Sequence, residues 1–505
     1  MNLSILYDSL ALVKPEIVIS IALIVLVLLD LIFHNDKKII KYIAGFSIVV
    51  VFYFVYEQLG LHGFSFQTGG TELIKNGMVS VDGFSSFFKI IILLSTVFII
   101  FFSNSSLEIQ KSNDRIGEYY ALIFGMILGM FFMVSANDLI LVYLSLELMS
   151  LSSYVLAGFV KIRDRNSEAS LKYIIYGSVS SGLMLFGISL VFGLTGTTNL
   201  VAIKTSLLSA SVNPVVFGFA IILIVAGIGY KISSAPFHFW TPDVYEGAPI
   251  TITAYLSVAS KAAGFALLVR FVKTAFVYKT DSEGHWIMLQ VFDWQTLIII
   301  LSILTMTLGN FAALWQNNIK RLLAYSSIAH AGYLLLGLAV LSDQGIIALL
   351  IYFFFYLLMN LGAFYVVMLI SDKIGSEDIH DYNGIGPAAP FLGVALTIFL
   401  ISLTGLPPTA GFIGKLYIFS ALVDAKMIAV AIIALLNTVV SLYYYVRVLK
   451  HMYLTKVEEK PSPINVSTAN VIIALLLLIP ILFFGIYFSP IVDFAQSCNS
   501  LLTGI

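Results

Sequence analysis

The chain has 505 residues, of which 59% are hydrophobic and 11% charged. Soluble domains are roughly 45–50% apolar and about 25% charged, and a water-facing fold of this length cannot enclose so many apolar side chains. A net charge of −1 and the single cysteine, Cys498, leave no basic surface for nucleic acid, no internal disulfide and no multi-cysteine metal or iron–sulfur site.

The composition indicates an all-α polytopic membrane protein. A spanning helix takes roughly 20 mainly apolar residues. By that rule about fourteen transmembrane helices are predicted, near 15–34, 39–58, 82–103, 116–134, 138–160, 168–194, 213–240, 248–275, 294–314, 320–341, 345–371, 390–422, 426–453 and 468–490. The residues ahead of the first carry no basic n-region, so that span is expected to be retained rather than cleaved as a signal. The longest connections, 59–81, 195–212 and 276–293, are expected as short polar loops.

Basic residues set the expected orientation. Lys37, Lys38, Lys41, Lys111, Arg115, Lys161, Arg163, Arg165, Lys320, Arg321, Lys373, Arg447, Lys450, Lys456 and Lys460 fall at one set of span ends. Lys14, Lys75, Lys204, Arg270, Lys273, Lys279 and Lys426 fall at the other. The richer set is expected to face the cytoplasm, which puts both termini outside.

Three short segments recur at an offset of about 180 residues. Ser153-Tyr154-Val155-Leu156-Ala157-Gly158 resembles Gly332-Tyr333-Leu334-Leu335-Leu336-Gly337. Tyr176 and Gly182 echo in Tyr356 and Gly362, and Leu268-Val269-Arg270-Phe271-Val272-Lys273 in Tyr445-Val446-Arg447-Val448-Leu449-Lys450. Five spans separate the copies. An odd number inserts them with opposite topology, the inverted-repeat plan of many transporters.

The remaining basic residues, Lys89, Lys172, Lys231, Lys261 and Lys415, fall within predicted spans. Charge at the bilayer centre costs at least about 2.5–3.5 kcal/mol, and such groups often mark ion paths. Lys89 is close enough to a span end for its stem to snorkel. Lys172 lies near the start of its helix, where snorkelling competes with a buried role. Lys231, Lys261 and Lys415 are deeper, and Glu147 is the matching acid in mid-helix. A structural ion pair is the plain reading of such groups. A buried glutamate–lysine pair is also a natural proton device, since moving one charge past it alters both proton affinities. Lysine can release its proton, whereas arginine cannot.

Two predicted helices are interrupted, at Gly227 to Trp240 around Pro236 and at Leu403 to Lys415 around Pro407-Pro408. Proline frees backbone carbonyls, which lipid does not tolerate unless protein or water satisfies them. Each break lies beside a lysine. That pairing favours a hydrated proton site at Lys231 and at Lys415 over two simple kinks. His238 and His330 are candidate relays or mere hydrogen-bonded neighbours. Ser150, Ser152, Ser153, Tyr154, Ser257, Ser260, Thr404 and Asn437 are candidates for holding water or for helix packing. No phosphate-binding loop, dinucleotide fingerprint or Cys/His cluster is present in the sequence. Energy is therefore expected from a gradient or a partner.

Glu118-Tyr119-Tyr120-Ala121-Leu122, Ser135-Ala136-Asn137-Asp138-Leu139 and Leu146-Glu147-Leu148-Met149-Ser150-Leu151-Ser152-Ser153-Tyr154 carry a family resemblance. So do the segments Lys231 to Gly247, Lys320 to Tyr333 and Gly405 to Lys415. The chain resembles the antiporter-like membrane subunits of bacterial respiratory complex I, the NADH–quinone oxidoreductase, and among them subunit N. The resemblance implies fourteen helices with two inverted five-helix repeats and broken helices 7 and 12. Its divisions would be 1–115, 116–275, 294–454 and 455–505. It implies Glu147 as the acidic partner of Lys231, Lys261 as a central lysine, Lys415 as the lysine of the second half, and Lys172 and His238 as accessory positions.

It further implies a proton-translocating subunit of an enzyme complex, with no redox site in this chain. NADH, flavin, iron–sulfur clusters and quinone would belong to partner subunits. The partners would be other membrane-arm subunits, including antiporter-like paralogues and small polytopic subunits, in the bacterial cytoplasmic membrane. Opening the Glu147–Lys231 pair would send a proton through water and His238 toward Lys261 and Lys415. The alternatives are a subunit of a multisubunit cation/proton antiporter, the membrane arm of a membrane-bound hydrogenase, and a structural anchor of the arm.

Overall fold

The computed structural model describes residues 3–32, 38–67, 76–160, 164–209, 212–456 and 461–501. Lys37, Lys75, Lys161, Arg163 and Lys460, used above for orientation, lie outside the described residues. Among the described residues, 13 helices are long and apolar enough to cross a membrane. In chain order they are Lys14–Ile32, Lys38–Gln58, Gly83–Ser105, Asn113–Ser135, Leu139–Ala157, Arg165–Thr195, Pro214–Ile232, Ile250–Phe276, Trp294–Ala313, Ile319–Ala339, Asp343–Ile374, Ile428–Tyr453 and Thr468–Ile486. Each coincides with an expected span. The span expected at 390–422 is present as two half-helices, Pro390–Thr404 and Ala410–Asp424. At 15 residues each, about 22 Å of rise, neither crosses alone. It is counted below as the twelfth span, so Ile428–Tyr453 and Thr468–Ile486 are the thirteenth and fourteenth.

The seventh span is also interrupted. Its helix stops at Ile232, and a second half runs from Trp240 to Gly247. The expected boundary at 240 therefore missed the second half, whose Asp243 and Glu246 read as loop. The eighth span contains a π-helical turn, Leu256–Ser260, a feature frequent at functional sites. The expected loops also hold structure. Gly63–Ser65 pairs with Val79–Val81 and Val277–Thr280 with Trp286–Met288, while Leu200–Ser209 is a helix. These elements are too short for hydrophobic periodicity to reveal.

Connections that follow even-numbered spans meet at one end of the molecule. There Val79 bridges to Ala136, Asp138 to Asn199 and His285 to Ser342. Connections that follow odd-numbered spans meet at the other. There Asn318 bridges to Asp378, the Leu107 N–H donates to the Asp372 carboxylate, and the Ile250 N–H donates to Glu108.

One local construction occurs twice. Asp138 caps the fifth span through the Ile140 N–H, and Asn318 caps the tenth through the Arg321 N–H. The Leu139 N–H donates to Thr198 O, and the Ile319 N–H to Glu377 O, both at 2.9 Å. Leu200 N–H donates to Asn137 O, as Ile379 N–H does to Asn317 O. A Cβ on Gly129 would lie 2.6 Å from Met149 N, and one on Gly309 would lie 2.6 Å from Ala329 N. The first copy of the capped bridge lies at the even end and the second at the odd end.

The eighth, tenth and eleventh spans are almost wholly buried by their neighbours, and the first, second and fourteenth face mainly outward. Helices apolar on every side tolerate that central position. Lys261 lies on the eighth span of this set, and Lys231 and Lys415 border the set.

Candidate functional site

Lys231 occupies the last turn of the first half of the seventh span and is fully buried. The helix ends because Ser233 takes a left-handed conformation, φ +61°. The Ser234 N–H then turns back to Gly229 O, and the Ala235 N–H is taken by Thr305 Oγ1. Trp240 Nε1 donates to Tyr230 O across the break, and its indole stacks on Tyr173 at 4.5 Å. The Lys231 ammonium donates to Ser150 Oγ at 2.9 Å and lies 5.8 Å from the centre of the Tyr173 ring.

Ser150 stands one helical turn after Glu147. The Glu147 Oε1 atom is buried without a hydrogen-bond partner, and no ion pair joins it to Lys231. The Lys231 ammonium thus meets the fifth span at Ser150 rather than at Glu147. His238 lies within the break, two residues before the second half-helix, stacked on Phe239, with a buried Nδ1 that has no partner. Among the described contacts no hydrogen bond joins His238 to a lysine.

Lys261 follows the π-helical turn and is 1% exposed. Its ammonium donates to Ser327 O at 2.8 Å and Ser327 Oγ at 2.9 Å, both on the tenth span. A Cβ on Gly264, one turn further along, would lie 2.7 Å from Ile232 Cγ2 and 3.6 Å from Lys231 Cγ. The bare backbone of Gly264 therefore lets the Lys231 stem lie against the helix that carries Lys261.

The tenth span continues the polar line. His330 lies one turn beyond Ser327, with Nδ1 2.7 Å from the Tyr352 hydroxyl and Nε2 3.4 Å from that of Tyr445. Tyr445 also bonds Ser326. One further turn brings Tyr333, whose hydroxyl accepts from Thr438 Oγ1 and whose ring centre lies 4.5 Å from the Lys415 ammonium. Lys415 donates to Thr404 O at 2.8 Å, a carbonyl freed where the twelfth span breaks. Ser327, His330 and Tyr333 thus join Lys261 to Lys415 along one helix face.

Other charges are held differently. Lys89 does not snorkel: its side chain is fully buried, 2.6 Å from Glu16 Oε1 and hydrogen-bonded to Gln58. Depth alone suggested a lipid-facing stem, and Glu16 on the first span is the partner that depth cannot show. Arg270, expected at a span end, is also fully buried, in a bidentate pair with Asp82 and a bond to Val134 O. An arginine therefore does lie within a span. Lys172 reaches the odd end, where it pairs with Asp243 at 2.7 Å and Glu168 at 2.8 Å. Arg321 and Arg165 complete this half-exposed network through Asp243 and Glu246.

Lys231, Lys261 and Lys415 form a class apart. Each ammonium is buried and held by a hydroxyl, joined by a carbonyl at Lys261 and Lys415 and by an aromatic ring at Lys231 and Lys415, and none has a carboxylate partner among the described residues. Sequence reasoning found these three, His330 and Ser150. It missed Ser327, Tyr333, Tyr352, Thr438 and Tyr445. The spacing of Ser326, Ser327, His330 and Tyr333 in the middle of a largely apolar helix was the available signal.

A family model described as NADH:quinone oxidoreductase/Mrp antiporter, TM, matches residues 136–441. NADH-quinone oxidoreductase subunit N 2 of Chloroherpeton thalassium is 46% identical over 497 residues, covering 97% of this chain and 94% of that protein. NADH-quinone oxidoreductase subunit N of an Anaeromyxobacter species is 41% identical over 509 residues, covering 97% and 96%. Among solved structures, a chain of respiratory complex I from Thermus thermophilus with bound aureothin superposes with a TM-score of 0.77 at 28% identity, covering 95% of this chain and 99% of that one. A chain of the Mrp complex from a Dietzia species shares the fold, with a TM-score of 0.82 at 18% identity over 100% and 98%. This polytopic all-α membrane protein belongs to the subunit N family of NADH-quinone oxidoreductase.

Proposed function

We propose that this chain translocates protons as a membrane-arm subunit of a bacterial NADH–quinone oxidoreductase, in the cytoplasmic membrane with both termini outside. Electron transfer and quinone chemistry belong to partner subunits, which hold the NADH, flavin, iron–sulfur and quinone sites. The division into 116–275 and 294–454 as inverted repeats is part of the same reading, supported by the construction that recurs at opposite ends.

The observation that carries the proposal is the contrast between two kinds of buried base. A carboxylate beside an ammonium fixes its charge, as at Lys89, and Arg270, a permanent cation, is likewise paired with a carboxylate. A lysine held by hydroxyls and carbonyls can exist with or without its proton, because those groups do not require a cation. Lys231, Lys261 and Lys415 are of the second kind. Glu147 stands near Lys231 but apart from it, so its approach or withdrawal alters the charge that Lys231 meets. Withdrawal releases the Lys231 proton toward Lys261. Ser327, His330, Tyr352, Tyr445 and Tyr333 then supply the hydroxyl and imidazole steps to Lys415, with His238 beside the break as an accessory relay.

The test is Lys261→Ala in the fully assembled complex, reconstituted in vesicles. Proton pumping coupled to NADH oxidation is expected to be abolished or strongly cut. Normal pumping in that assembled variant would overturn the proposal.

A further inference from the structure

The two copies of the Arg-x-x-Lys segment are neutralised differently. In the first, Arg270 holds Val134 O and takes both oxygens of Asp82 at 2.9 Å, and Lys273 pairs with Asp343 at 2.7 Å. In the second, Arg447 holds Leu314 O, the carbonyl 180 residues beyond Val134, and Gln316 O. Its Nε is buried without a partner. Neither Arg447 nor Lys450 has a carboxylate partner among the described residues. Among the described residues, neither cation has a counterpart of the aspartate that its first-copy equivalent holds.

Lys450 is exposed and Arg447 half-buried. With Val439, Leu442, Tyr443, Val446 and His451 they line a furrow of about 490 Å³ on the outer face of the thirteenth span. The lining recurs every three to four residues, so it is one stripe. From Val439 to Val446 the stripe is apolar for about 10 Å, and the basic residues follow in the next turn. That suits a single leaflet, whose hydrocarbon is about half of the 30 Å core. Trp315 lies between Leu314 and Gln316, the residues that hold Arg447, and is 84% exposed. Exposed tryptophan is characteristic of the headgroup level.

We propose that this furrow binds an anionic phospholipid, its phosphate standing where the first copy places aspartate carboxylates and its acyl chain lying along Val439, Tyr443 and Val446. The chemistry is that of basic pockets at membrane interfaces, which bind anionic headgroups. The site is independent of the proton path.

The test uses the intact complex, stripped with detergent and returned to nanodiscs of phosphatidylcholine with a minor fraction of phosphatidylglycerol or cardiolipin. Retained lipid is measured by mass spectrometry. Wild type is expected to retain the anionic lipid selectively. Lys450→Gln is expected to lower that retention about five-fold, the effect of one basic residue at an anionic surface, and Lys450→Glu further, with assembly intact. A photo-crosslinking side chain at position 443 is expected to capture lipid. Equal retention in wild type and Lys450→Glu overturns the proposal, as does equal retention of phosphatidylcholine. A crosslink to another polypeptide overturns it too, since the furrow would then be a subunit contact.

Discussion

Gly405 and Lys415 compete for one space: a Cβ on Gly405 would lie 2.7 Å from Lys415 Cδ. Gly405 also has φ +87°, a conformation that glycine adopts without steric cost. The turn that ends the first half-helix and the placement of the lysine therefore both rely on the absence of a side chain at Gly405. Gly405→Ala is expected to push the Lys415 stem away from Thr404 O and to add about 1–3 kcal/mol of backbone strain. The readout is the ratio of protons pumped to NADH oxidised, which should fall in a complex that still assembles. An unchanged ratio would refute the link between the break and the lysine.

Replacement by arginine should separate the two classes of buried base. Arginine keeps the charge and cannot release it. Lys89→Arg is expected to assemble and pump, because Lys89 only neutralises Glu16. Lys231→Arg, Lys261→Arg and Lys415→Arg are expected to lose pumping. Vesicle acidification measured beside assembly on native gels distinguishes the outcomes, and equal effects at Lys89 and Lys261 would remove the distinction.

Asp82 and Arg270 should behave as a coupled pair. Removing one member leaves the other charge buried, which typically costs about 3–5 kcal/mol. Asp82→Asn and Arg270→Met are each expected to lower the amount and the melting temperature of assembled complex. The double variant should recover much of the loss. A double variant as damaged as the sum of the singles would contradict the pairing.

Gly129 and Gly309 carry the same close approach, each to a backbone nitrogen 2.6 Å from its virtual Cβ. Alanine at either site should destabilise by about 1–3 kcal/mol, as overpacking does. The two should cost alike, because the helix pairs are built alike. Gly182→Ala is the control, since no atom lies within 4 Å of its virtual Cβ. Thermal unfolding of the three variants provides the comparison.

The spans were legible because lipid demands apolar length, and the breaks because proline and glycine interrupt it. The half-helix at Trp240–Gly247 was not, since Asp243 and Glu246 look like loop residues until Lys172 and Arg321 meet them. Burial of Lys89 and Arg270 was misread for a related reason. Position along a helix reports depth, whereas the partners Glu16 and Asp82 come from other helices. Lys231, Lys261 and Lys415 were found because deep charge is costly wherever its partner lies. Glu147 was found on the same ground, but its distance from Lys231 is a matter of packing that spacing does not contain.

Ser327, His330 and Tyr333 lie on one uninterrupted helix, Ile319–Ala339. Six residues of α-helix measure about 9 Å and barely stretch. The tenth span is thus a rigid ruler between the contacts of Lys261 and Lys415, and its middle has no joint. On the proposed proton route a conformational step is therefore expected at its ends, at the π-helical turn before Lys261 and the broken helix before Lys415.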